Sequence, residues 1–439
     1  MITKKFPYSV LIYKTMNRVV VTGMGAVSPL GNTFQESWAA AKKGLTGIGP
    51  VTGFDASDIP WQVAGELKHF DPGRYLSGKE LKRLDPFAQY AVAAAIMAAE
   101  DAGLADKEIA WSIEQRVNEK KLLLSILLSG AGIIVGSSRG GISSLEQSII
   151  KSRRLSRKQH SVSPYLMPAT TISMAPSYIA QKLGIRGCCL GVSNACASGA
   201  NAIGEAYRLI ISGYKYPVLC GGAEAPLCGI CFQGYGASGA LSKINDSTAS
   251  RPFDGTRDGF VLSEGACIMV LEEYTTARQR GAKVYAEITG YGNTCDSFHQ
   301  TIPSAEGEAR AISAAIEDAW LAAGDIDFIN AHGTSTIFGD KTETEAIKIT
   351  FGKKACEIPV FSLKSMTGHM LAASGALEAA ITMISMCEGI IPPTINLTER
   401  DPECDLDIVT ELRKADIEYA ISNSFGFGGV NAVLVMKKI

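Results

Sequence analysis

Buried strand patterns alternate with helical patterns along most of this 439-residue chain. Apolar, β-branched runs typical of strands occur at 18–23, 131–136 and 266–272. Helical spacing of apolar residues covers 197–213 and 370–388. Strands that are apolar on both faces need helices to cover them, so this alternation indicates an α/β fold. We therefore expect helical layers around buried, mostly parallel sheets.

The two halves of the chain echo each other. The stretch RVVVTGMGAVSPLGN, from Arg18, is similar to VYAEITGYGNTCDS, from Val284, because each predicts a strand followed by a Gly-x-Gly turn. The stretch ACASGANAIGEAYRLI, from Ala195, is similar to HMLAASGALEAAITMI, from His369, because small residues open a helix in each. An internal duplication explains both pairs.

The sequence pattern suggests two halves and three less regular segments. We expect an N-terminal half at 16–275 and a C-terminal half at 276–439. Residues 1–15 precede the first clean strand pattern and are interpreted as a disordered N-terminal extension or as a misassigned start. The stretches at 108–128 and 151–160 look like an insertion and an enlarged basic loop.

Composition and charge exclude several functional classes. A formal net charge of −2 gives no global attraction to nucleic acid or to anionic membranes. No apolar run approaches the roughly 20 residues of a membrane span. Eleven cysteines without a disulfide framework indicate reduced thiols and a cytoplasmic protein. Cys228 and Cys231 form a CxxC pair, but no second pair completes a zinc site, so ordinary core thiols are favoured.

Cys196 follows a strand-like run and precedes small residues that open an amphipathic helix. Free N–H groups and partial positive charge at a helix N-terminus are expected to lower the pKa of this thiol. The same N–H groups can hold an oxyanion. The alternative is a small buried apolar side chain, which the local stretch alone favours. A nucleophilic role therefore needs a nitrogen partner elsewhere in the chain.

Two histidines lie where such a partner is expected. His332 ends one strand pattern in NAHGTST, and His369 follows another in SLKSMTGH. Open α/β sheets bind ligands at the carboxyl ends of their strands. A cysteine hydrolase needs one histidine, so a second neutral imidazole suggests stabilisation of a developing enolate or carboxylate charge. Lys364 is expected to orient one imidazole. The remaining histidines, interpreted as surface or supporting residues, are His69, His160 and His299.

A glycine-rich turn in NSFGFGGVNA separates two C-terminal strand patterns. Gly426, Gly428 and Gly429 permit positive φ angles and close main-chain approach. Such a turn can aim the N–H of Phe427 at the same oxyanion as the N–H of Cys196. A plain turn between two strands is the alternative.

Together, the motifs resemble one enzyme family. They are ACASG around Cys196, RPFDGTRDGFVLSEGA at 251–266, AHGTST around His332, SLKSMTGHMLAASGALE around His369, and NSFGFGGVNA. This combination is similar to the elongating (type I/II) β-ketoacyl-[acyl-carrier-protein] synthases among the thiolase-like condensing enzymes. The similarity covers nearly the whole chain.

The resemblance implies a fold and a reaction. The fold is the thiolase fold, with two fused βαβαβαββ halves in a five-layer αβαβα sandwich, usually as a homodimer. Cys196 would take an acyl group from acyl carrier protein as a thioester, with the N–H groups of Cys196 and Phe427 as the oxyanion hole. His332 and His369 would promote decarboxylation of malonyl-carrier protein and stabilise the enolate that attacks the acyl-cysteine. No redox cofactor or metal is implied.

The resemblance also implies roles for other residues. Lys364 supports the geometry of the histidines and the cysteine. Phe260 is similar to a gate between the acyl and malonyl pockets. Thr334 and Thr336 are similar to hydroxyls that contact the pantetheine arm. Supporting positions around the site fall to Glu378, Asp340 and Glu343.

Two positions depart from the family pattern. Arg139 in GSSRGG stands at the base of the acyl pocket, where elongating synthases commonly carry an apolar residue. Tyr235 stands where phenylalanine is frequent. A cation and a phenol suit a short, polar or unusual acyl group better than a long alkyl chain, and the alternative is an Arg139 side chain that points elsewhere. The resemblance therefore implies chain elongation in fatty-acid or polyketide-like synthesis, and the alternative is a type II polyketide-like pathway in which the chain is the active half of a heterodimer.

Carrier proteins are acidic, so a synthase of this kind is expected to carry a basic docking surface. The candidates are Lys79, Lys82, Arg83, Lys151, Arg153, Arg154, Arg157 and Lys158. Ordinary solvated surface charge is the alternative interpretation.

Other functions fit the sequence less well. GMGAVSPLG starts like a dinucleotide-binding motif, but Ser28 occupies the third glycine position and Pro29 follows it. A cysteine hydrolase leaves one histidine and Lys364 without a role. Thiolases use a second cysteine as base, where this chain offers His332 and His369. A non-catalytic, chain-length-factor-like subunit typically lacks the cysteine, so catalysis is favoured.

Overall fold

The computed structural model describes residues 17–105, 126–154 and 162–439. The predicted extension at 1–15 lies outside these ranges, as do most of the predicted insertion at 108–128 and most of the loop at 151–160. Within them, eleven strands form one sheet: β1 (Val19–Val27), β2 (Gly132–Gly136), β3 (Cys189–Val192), β4 (Val218–Glu224), β5 (Gly265–Glu273), β6 (Ala286–Cys295), β7 (Phe328–Asn330), β8 (Pro359–Phe361), β9 (Asp407–Ile408), β10 (Tyr419–Gly426) and β11 (Val430–Lys437).

The strand order is β9-β8-β7-β10-β11-β6-β1-β5-β4-β2-β3. The two central strands, β1 and β6, pair antiparallel. On each side of them the next two strand pairs are antiparallel and the following two are parallel. Strand β9 adds one more parallel pair at the edge next to β8. The sheet is therefore mixed, and the expectation of mostly parallel sheets is wrong. One cause of the antiparallel pairing is the short connection at 427–429, because three residues between β10 and β11 permit only an antiparallel pair.

Helices cover the sheet on every buried face. They are α1 (Phe34–Lys42), α2 (Gly78–Leu81), α3 (Pro86–Asp101), α4 (Ile142–Arg154), α5 (Leu166–Thr170), α6 (Met174–Leu183), α7 (Ser198–Ile211), α8 (Gly229–Ala237), α9 (Tyr274–Gln279), α10 (Ala305–Asp318), α11 (Ile337–Phe351), α12 (Lys364–Thr367) and α13 (Ala372–Glu388). Short 3₁₀ turns occur at Pro72–Arg74, Ala323–Asp325 and Gly352–Cys356. No helix within the described ranges is both long and apolar enough to cross a bilayer.

Three apolar clusters define the layers. The central cluster joins α7 and α13, which pack on each other, to both halves of the sheet. A second cluster packs α3 and α6 on the outer face of the N-terminal half. A third packs α10 and α11 on the outer face of the C-terminal half. Helices thus lie between the two halves of the sheet and on the outer face of each half, which is the predicted αβαβα sandwich.

The two central strands meet their covering helices in the same way. A side chain at Gly23 or Gly25 on β1 would collide with main-chain carbonyl oxygens of α3. Gly290 and Gly292 on β6 are equally close to carbonyl oxygens of α10. The Gly-x-Gly pairs noted in the sequence therefore serve close helix–strand packing in both halves.

The sequence at 79–103 predicts one long helix, but this helix is interrupted in the structure. It divides into α2 and α3, and α3 begins at Pro86. The Asp85 carboxylate caps α3 by accepting the Phe87 N–H over 3.0 Å. An Asp-Pro pair at a helix start combines a good N-cap with the residue best tolerated at the first helical position.

Candidate active site

Cys196 lies on a tight turn between β3 and α7. Ala195 adopts a left-handed φ of 47°, which is unusual for a residue with a side chain and turns Cys196 toward the interior. The helix proper begins at Ser198, so the sulfur precedes its first turn instead of lying inside it. Gly136 lies so close to the start of this helix that a side chain at position 136 would collide with the carbonyl oxygen of Ser198.

His369 contacts the cysteine sulfur directly. Its Nε2 lies 2.9 Å from Cys196 Sγ, and its Nδ1 lies 3.2 Å from the Ser374 hydroxyl oxygen. The main-chain N–H of His369 donates to the Val261 carbonyl over 2.7 Å. The ring is 2% exposed, so both nitrogens and the ring plane are fixed by protein contacts.

His332 lies next to His369 at the end of β7. The two ring centroids are 5.3 Å apart, with an angle of 84° between the planes. The Glu343 carboxylate accepts the N–H groups of His332 and Gly333 over 2.8 and 2.7 Å, which fixes the turn that carries the ring. The buried Nδ1 of His332 has no hydrogen-bond partner among the described residues.

Lys364 forms a buried ion pair behind the two histidines. Its Nζ lies 2.5 Å from Oε1 of Glu378, and both side chains are 1% exposed. Lys364 opens α12 after β8, and Glu378 lies on α13. The pair therefore joins the loop before His369 to the helix after it.

Burial and the Lys364 charge set the protonation states of the site. Burial raises the pKa of the Cys196 thiol to about 11, although the charges of Lys364 and Arg139 and the Phe427 N–H act in the opposite direction. The expectation of a lowered thiol pKa is therefore wrong, because loss of hydration outweighs these effects. Burial, followed by the Lys364 charge, lowers the pKa of both His332 and His369 well below the usual value. Both imidazoles are neutral at neutral pH.

The glycine-rich turn brings a second N–H to the sulfur. The main-chain N–H of Phe427 hydrogen-bonds to Cys196, and Gly428 and Gly429 adopt φ angles of 90° and 70°. The Gly428 N–H donates to the carbonyl of Gln300 over 2.7 Å, which anchors the turn. Of the two N–H groups predicted for the oxyanion hole, that of Phe427 therefore reaches the sulfur.

A cavity of about 350 Å³ joins these groups. Its wall includes Cys196, both histidines, and six more of the predicted residues: Thr334, Thr336, Phe260, Tyr235, Phe427 and Glu343. The hydroxyl oxygens of Thr334 and Thr336 are 2.9 Å apart, and the Phe260 ring packs edge-on against His369 with centroids 5.2 Å apart.

Asp340 supports the backbone near the site without reaching the cavity. Its carboxylate accepts the N–H groups of Phe253 and Ser335 over 2.8 and 3.1 Å. These two residues have left-handed φ angles of 66° and 68°. Burial raises the pKa of Asp340 to about 7, against the nearby positive charge of Arg257.

Several residues of the site were missed at the sequence level. Glu224, at the end of β4, holds the loop that carries Arg139, and Ser374 contacts His369. The Asn423 amide donates to Glu343 over 3.0 Å. Ser374 and Asn423 lie within motifs quoted above, whereas Glu224 gives no sequence signal beyond its place at a strand end.

The remaining predicted residues lie apart from the cavity. His69 and His299 are exposed, and His160 is outside the described residues. The candidate basic residues Lys79, Lys82, Arg83, Lys151 and Arg153 are exposed, whereas nothing is described of the side chains of Arg154, Arg157 and Lys158. Cys228 and Cys231 are buried in the apolar cluster that contains Tyr235 and Phe260.

Comparison with known families decides the family membership. The family model described as "Beta-ketoacyl synthase, N-terminal domain" matches residues 16–277, and "Beta-ketoacyl synthase, C-terminal domain" matches residues 285–398. The chain belongs to the β-ketoacyl synthase family. It is similar to the 3-oxoacyl-[acyl-carrier-protein] synthase 2 of Synechocystis sp., with 44% identity over 429 residues that cover 96% of this chain and 98% of that protein.

Solved structures of β-ketoacyl synthases share the fold. The ishigamide ketosynthase/chain length factor has a TM-score of 0.87 and 35% identity, and the match covers 97% of this chain and 100% of that one. A type II PKS acyl-carrier protein in complex with its ketosynthase bound to the hexaketide has a TM-score of 0.84 and 32% identity, with the same coverage. The predicted condensing-enzyme fold is confirmed.

Proposed function

We propose that this β-ketoacyl synthase joins an acyl thioester to malonyl-carrier protein, giving a 3-oxoacyl thioester and CO₂. The observation that carries this proposal is that Cys196, His332 and His369 share one cavity, with Nε2 of His369 2.9 Å from the sulfur. A hydrolase would use one histidine, whereas a decarboxylating condensation uses both.

The first half-reaction loads Cys196. The sulfur attacks the acyl thioester carbon, and the bond to the carrier's sulfur breaks. The proton that leaves Cys196 ends on the departing carrier thiolate, which becomes the free thiol. The oxyanion of the intermediate lies between the N–H groups of Cys196 and Phe427.

The second half-reaction forms the carbon–carbon bond. Malonyl-carrier protein loses CO₂, and neutral His332 and His369 donate hydrogen bonds to the enolate oxygen. The enolate carbon attacks the acyl-cysteine, the carbon–sulfur bond breaks, and the Cys196 thiolate takes up one proton. Neutral imidazoles suit this task because an N–H donor, not a base, is needed. The Lys364 charge helps to keep both rings neutral.

The surrounding residues receive positioning roles in this proposal. Glu378 neutralises Lys364, and Glu343 holds the turn of His332. Thr334 and Thr336 line the cavity and offer hydroxyls to the pantetheine arm. Phe260 packs on His369 and acts as a gate. The nucleophile comes from the N-terminal half at 16–275, and the histidines and lysine come from the C-terminal half at 276–439.

Acyl carrier protein is the proposed partner. The related structure that contains a type II PKS acyl-carrier protein with its ketosynthase supports this assignment. Exposed Lys79, Lys82, Arg83, Lys151 and Arg153 offer positive charge to an acidic carrier. We place the enzyme in the cytoplasm because all eleven cysteines, each within the described ranges, are unpaired.

The edge strand β3 supports a dimer. Cys189, Leu190 and Gly191 are exposed on this strand, and Leu190 is 49% exposed. An open edge carrying an exposed leucine is a natural pairing surface for a second subunit. A second copy of this chain makes a homodimer, and a chain-length-factor-like subunit makes a heterodimer. The likeness to a ketosynthase/chain length factor supports the second arrangement and, with it, a polyketide-like pathway.

Product formation tests the proposal. The purified protein is incubated with acyl- and malonyl-carrier protein, and the carrier-bound product and CO₂ are measured by mass spectrometry and gas release. We expect a 3-oxoacyl product two carbons longer than the starter from wild type, and none from Cys196→Ala. Release of free acid from the acyl carrier without chain extension would instead support a hydrolase.

A further inference from the structure

The loop that follows β2 is held rigidly against the end of β4. The buried carboxylate of Glu224 accepts the N–H groups of Ser138 and Arg139 over 2.7 and 3.0 Å. It also accepts the hydroxyls of Ser137 and Ser138 over 3.0 and 2.6 Å. Four hydrogen bonds to one carboxylate fix the main chain at Arg139 and therefore the starting point of its side chain.

The Arg139 side chain ends at Tyr235. Its Nε–H donates to the Tyr235 hydroxyl over 2.9 Å, and its guanidinium carbon lies 5.3 Å from the centre of the ring. The tyrosine oxygen is the acceptor in this contact, so its own O–H remains free to donate. The other guanidinium N–H groups have no hydrogen bond or ion pair with any described residue. The pair therefore presents donors and no charged acceptor.

Tyr235 places this donor pair within reach of the reacting sulfur. Its ring lines the same cavity as Cys196 and packs against Phe260 and Phe427, with centroids 5.5 and 6.5 Å apart. The Arg139 charge also acts on the Cys196 thiol, where it opposes the effect of burial on the pKa. A chain attached to Cys196 thus meets an aromatic wall and, behind it, a cation.

We propose that the Arg139–Tyr235 pair selects acyl chains that carry an acceptor oxygen, a carboxylate or a ketone, at the end remote from the thioester. This inference rests on the proposed function and names the substrate class that the Cys196 site accepts. An alkyl terminus would desolvate the guanidinium and phenol donors without replacing their hydrogen bonds, whereas an oxygen satisfies them. The aromatic rings Phe260 and Phe427 suit the apolar part of the chain between the two ends.

Matched thioesters test this selection. Pentanoyl-, levulinoyl- and glutaryl-pantetheine have equal chain length and differ in bearing a methyl end, a ketone or a carboxylate. The rate of adduct formation on Cys196 is followed by intact-protein mass spectrometry, without a carrier protein that could mask the difference. We expect the faster of the two oxygenated thioesters to load about tenfold to a hundredfold faster than the pentanoyl thioester. This ratio corresponds to the free energy of one hydrogen bond to a charged group.

Two variants assign the preference to the pair. Arg139→Met keeps the side-chain length and removes the charge, and Tyr235→Phe keeps the ring and removes the hydroxyl. Both should reduce the preference for oxygenated chains and speed pentanoyl loading. The matched control is Arg278→Met, at an exposed arginine on α9, which should retain the wild-type preference. Iodoacetamide labelling of Cys196 verifies that each variant keeps an intact site.

Three results are decisive against the proposal. Equal loading of all three thioesters by wild type would overturn it, and so would a preference that survives in Arg139→Met. If none of the thioesters, and no acyl-carrier protein, loads Cys196 although iodoacetamide labels it, the condensing function itself is wrong and this inference falls with it. Loading without discrimination therefore refutes the selection alone.

Discussion

Nε2 of His369 lies 2.9 Å from Sγ of Cys196, although the two residues are 173 positions apart in the chain. The contact joins a thiol whose pKa is raised to about 11 with an imidazole whose pKa is well below its usual value. Both shifts have burial as their largest cause, and both favour neutral forms. The resting pair is therefore a thiol and a neutral imidazole.

The neutral resting pair predicts how Cys196 alkylation depends on pH. Below its pKa a thiol gains thiolate about tenfold per pH unit, so the rate of alkylation by iodoacetamide should rise steadily between about pH 7 and about pH 9. The rate is measured by mass spectrometry of the peptide that contains Cys196, with exposed Cys356 as a reference for the reagent. A rate that stays constant over this range would indicate a thiolate–imidazolium pair instead.

The two histidines should differ in which half-reaction they support. His332→Ala should slow CO₂ release from malonyl-carrier protein by about a hundredfold or more while leaving acylation of Cys196 within a few fold. His369→Ala should slow both steps, because this ring contacts the sulfur as well as its neighbour. His69→Ala, at an exposed histidine, is the control. Equal losses in both steps for both variants would contradict separate roles.

The buried Lys364–Glu378 pair should contribute to stability as a unit. Lys364→Met leaves the Glu378 carboxylate buried without its partner, at a cost of about 3–5 kcal/mol in the free energy of unfolding. The double variant Lys364→Met/Glu378→Leu should regain most of this stability, yet condense slowly because the charge that helps to keep both imidazoles neutral is gone. Denaturant unfolding and condensation rates check the two parts separately. A Lys364→Met variant as stable as wild type would refute the stability prediction.

Glu264 predicts a pH-dependent stability. Its carboxylate accepts the Leu67 N–H and the Tyr90 hydroxyl, each over 3.0 Å, and burial raises its pKa to about 7. A raised carboxyl pKa means that the folded state holds the proton more tightly than the unfolded state. Stability is therefore lost as pH rises from the unfolded pKa through about 7.

Glu264→Gln should remove that loss. The variant should be more stable than wild type by about 1–3 kcal/mol near pH 8 and should lose this advantage near pH 5, where wild-type Glu264 is protonated. Denaturant unfolding at the two pH values measures the difference. The same stability difference at both pH values would show that the Glu264 carboxyl does not titrate between them.

The sequence was sufficient to bring the reacting groups together. Cys196, His332 and His369 each follow a strand and stand in short distinctive motifs, so their meeting could be predicted. The break between α2 and α3 could also have been predicted, because Asp85 and Pro86 form a helix N-cap signal. The continuous apolar spacing around them favoured a single helix instead. The antiparallel return of β11 could likewise have been inferred from its short turn.

Other features depend on long-range packing that no local pattern reveals. Glu224 meets the loop at 137–139 only because β4 lies beside β2 in the sheet. The raised pKa of Cys196 depends on how much hydration the folded chain removes from the sulfur, and local helix position alone suggested the opposite shift. The contact between Arg139 and Tyr235 spans 96 positions and joins the loop after β2 to helix α8.

The most direct test of the account locates the acyl group during turnover. The protein is incubated with acyl-carrier protein, quenched and digested, and the acylated peptide is identified among the peptides that contain the eleven cysteines. We predict that the acyl group is found on the Cys196 peptide and disappears, with formation of the extended product, when malonyl-carrier protein is added. An acyl group on another cysteine, or condensation that continues in Cys196→Ser, would contradict it.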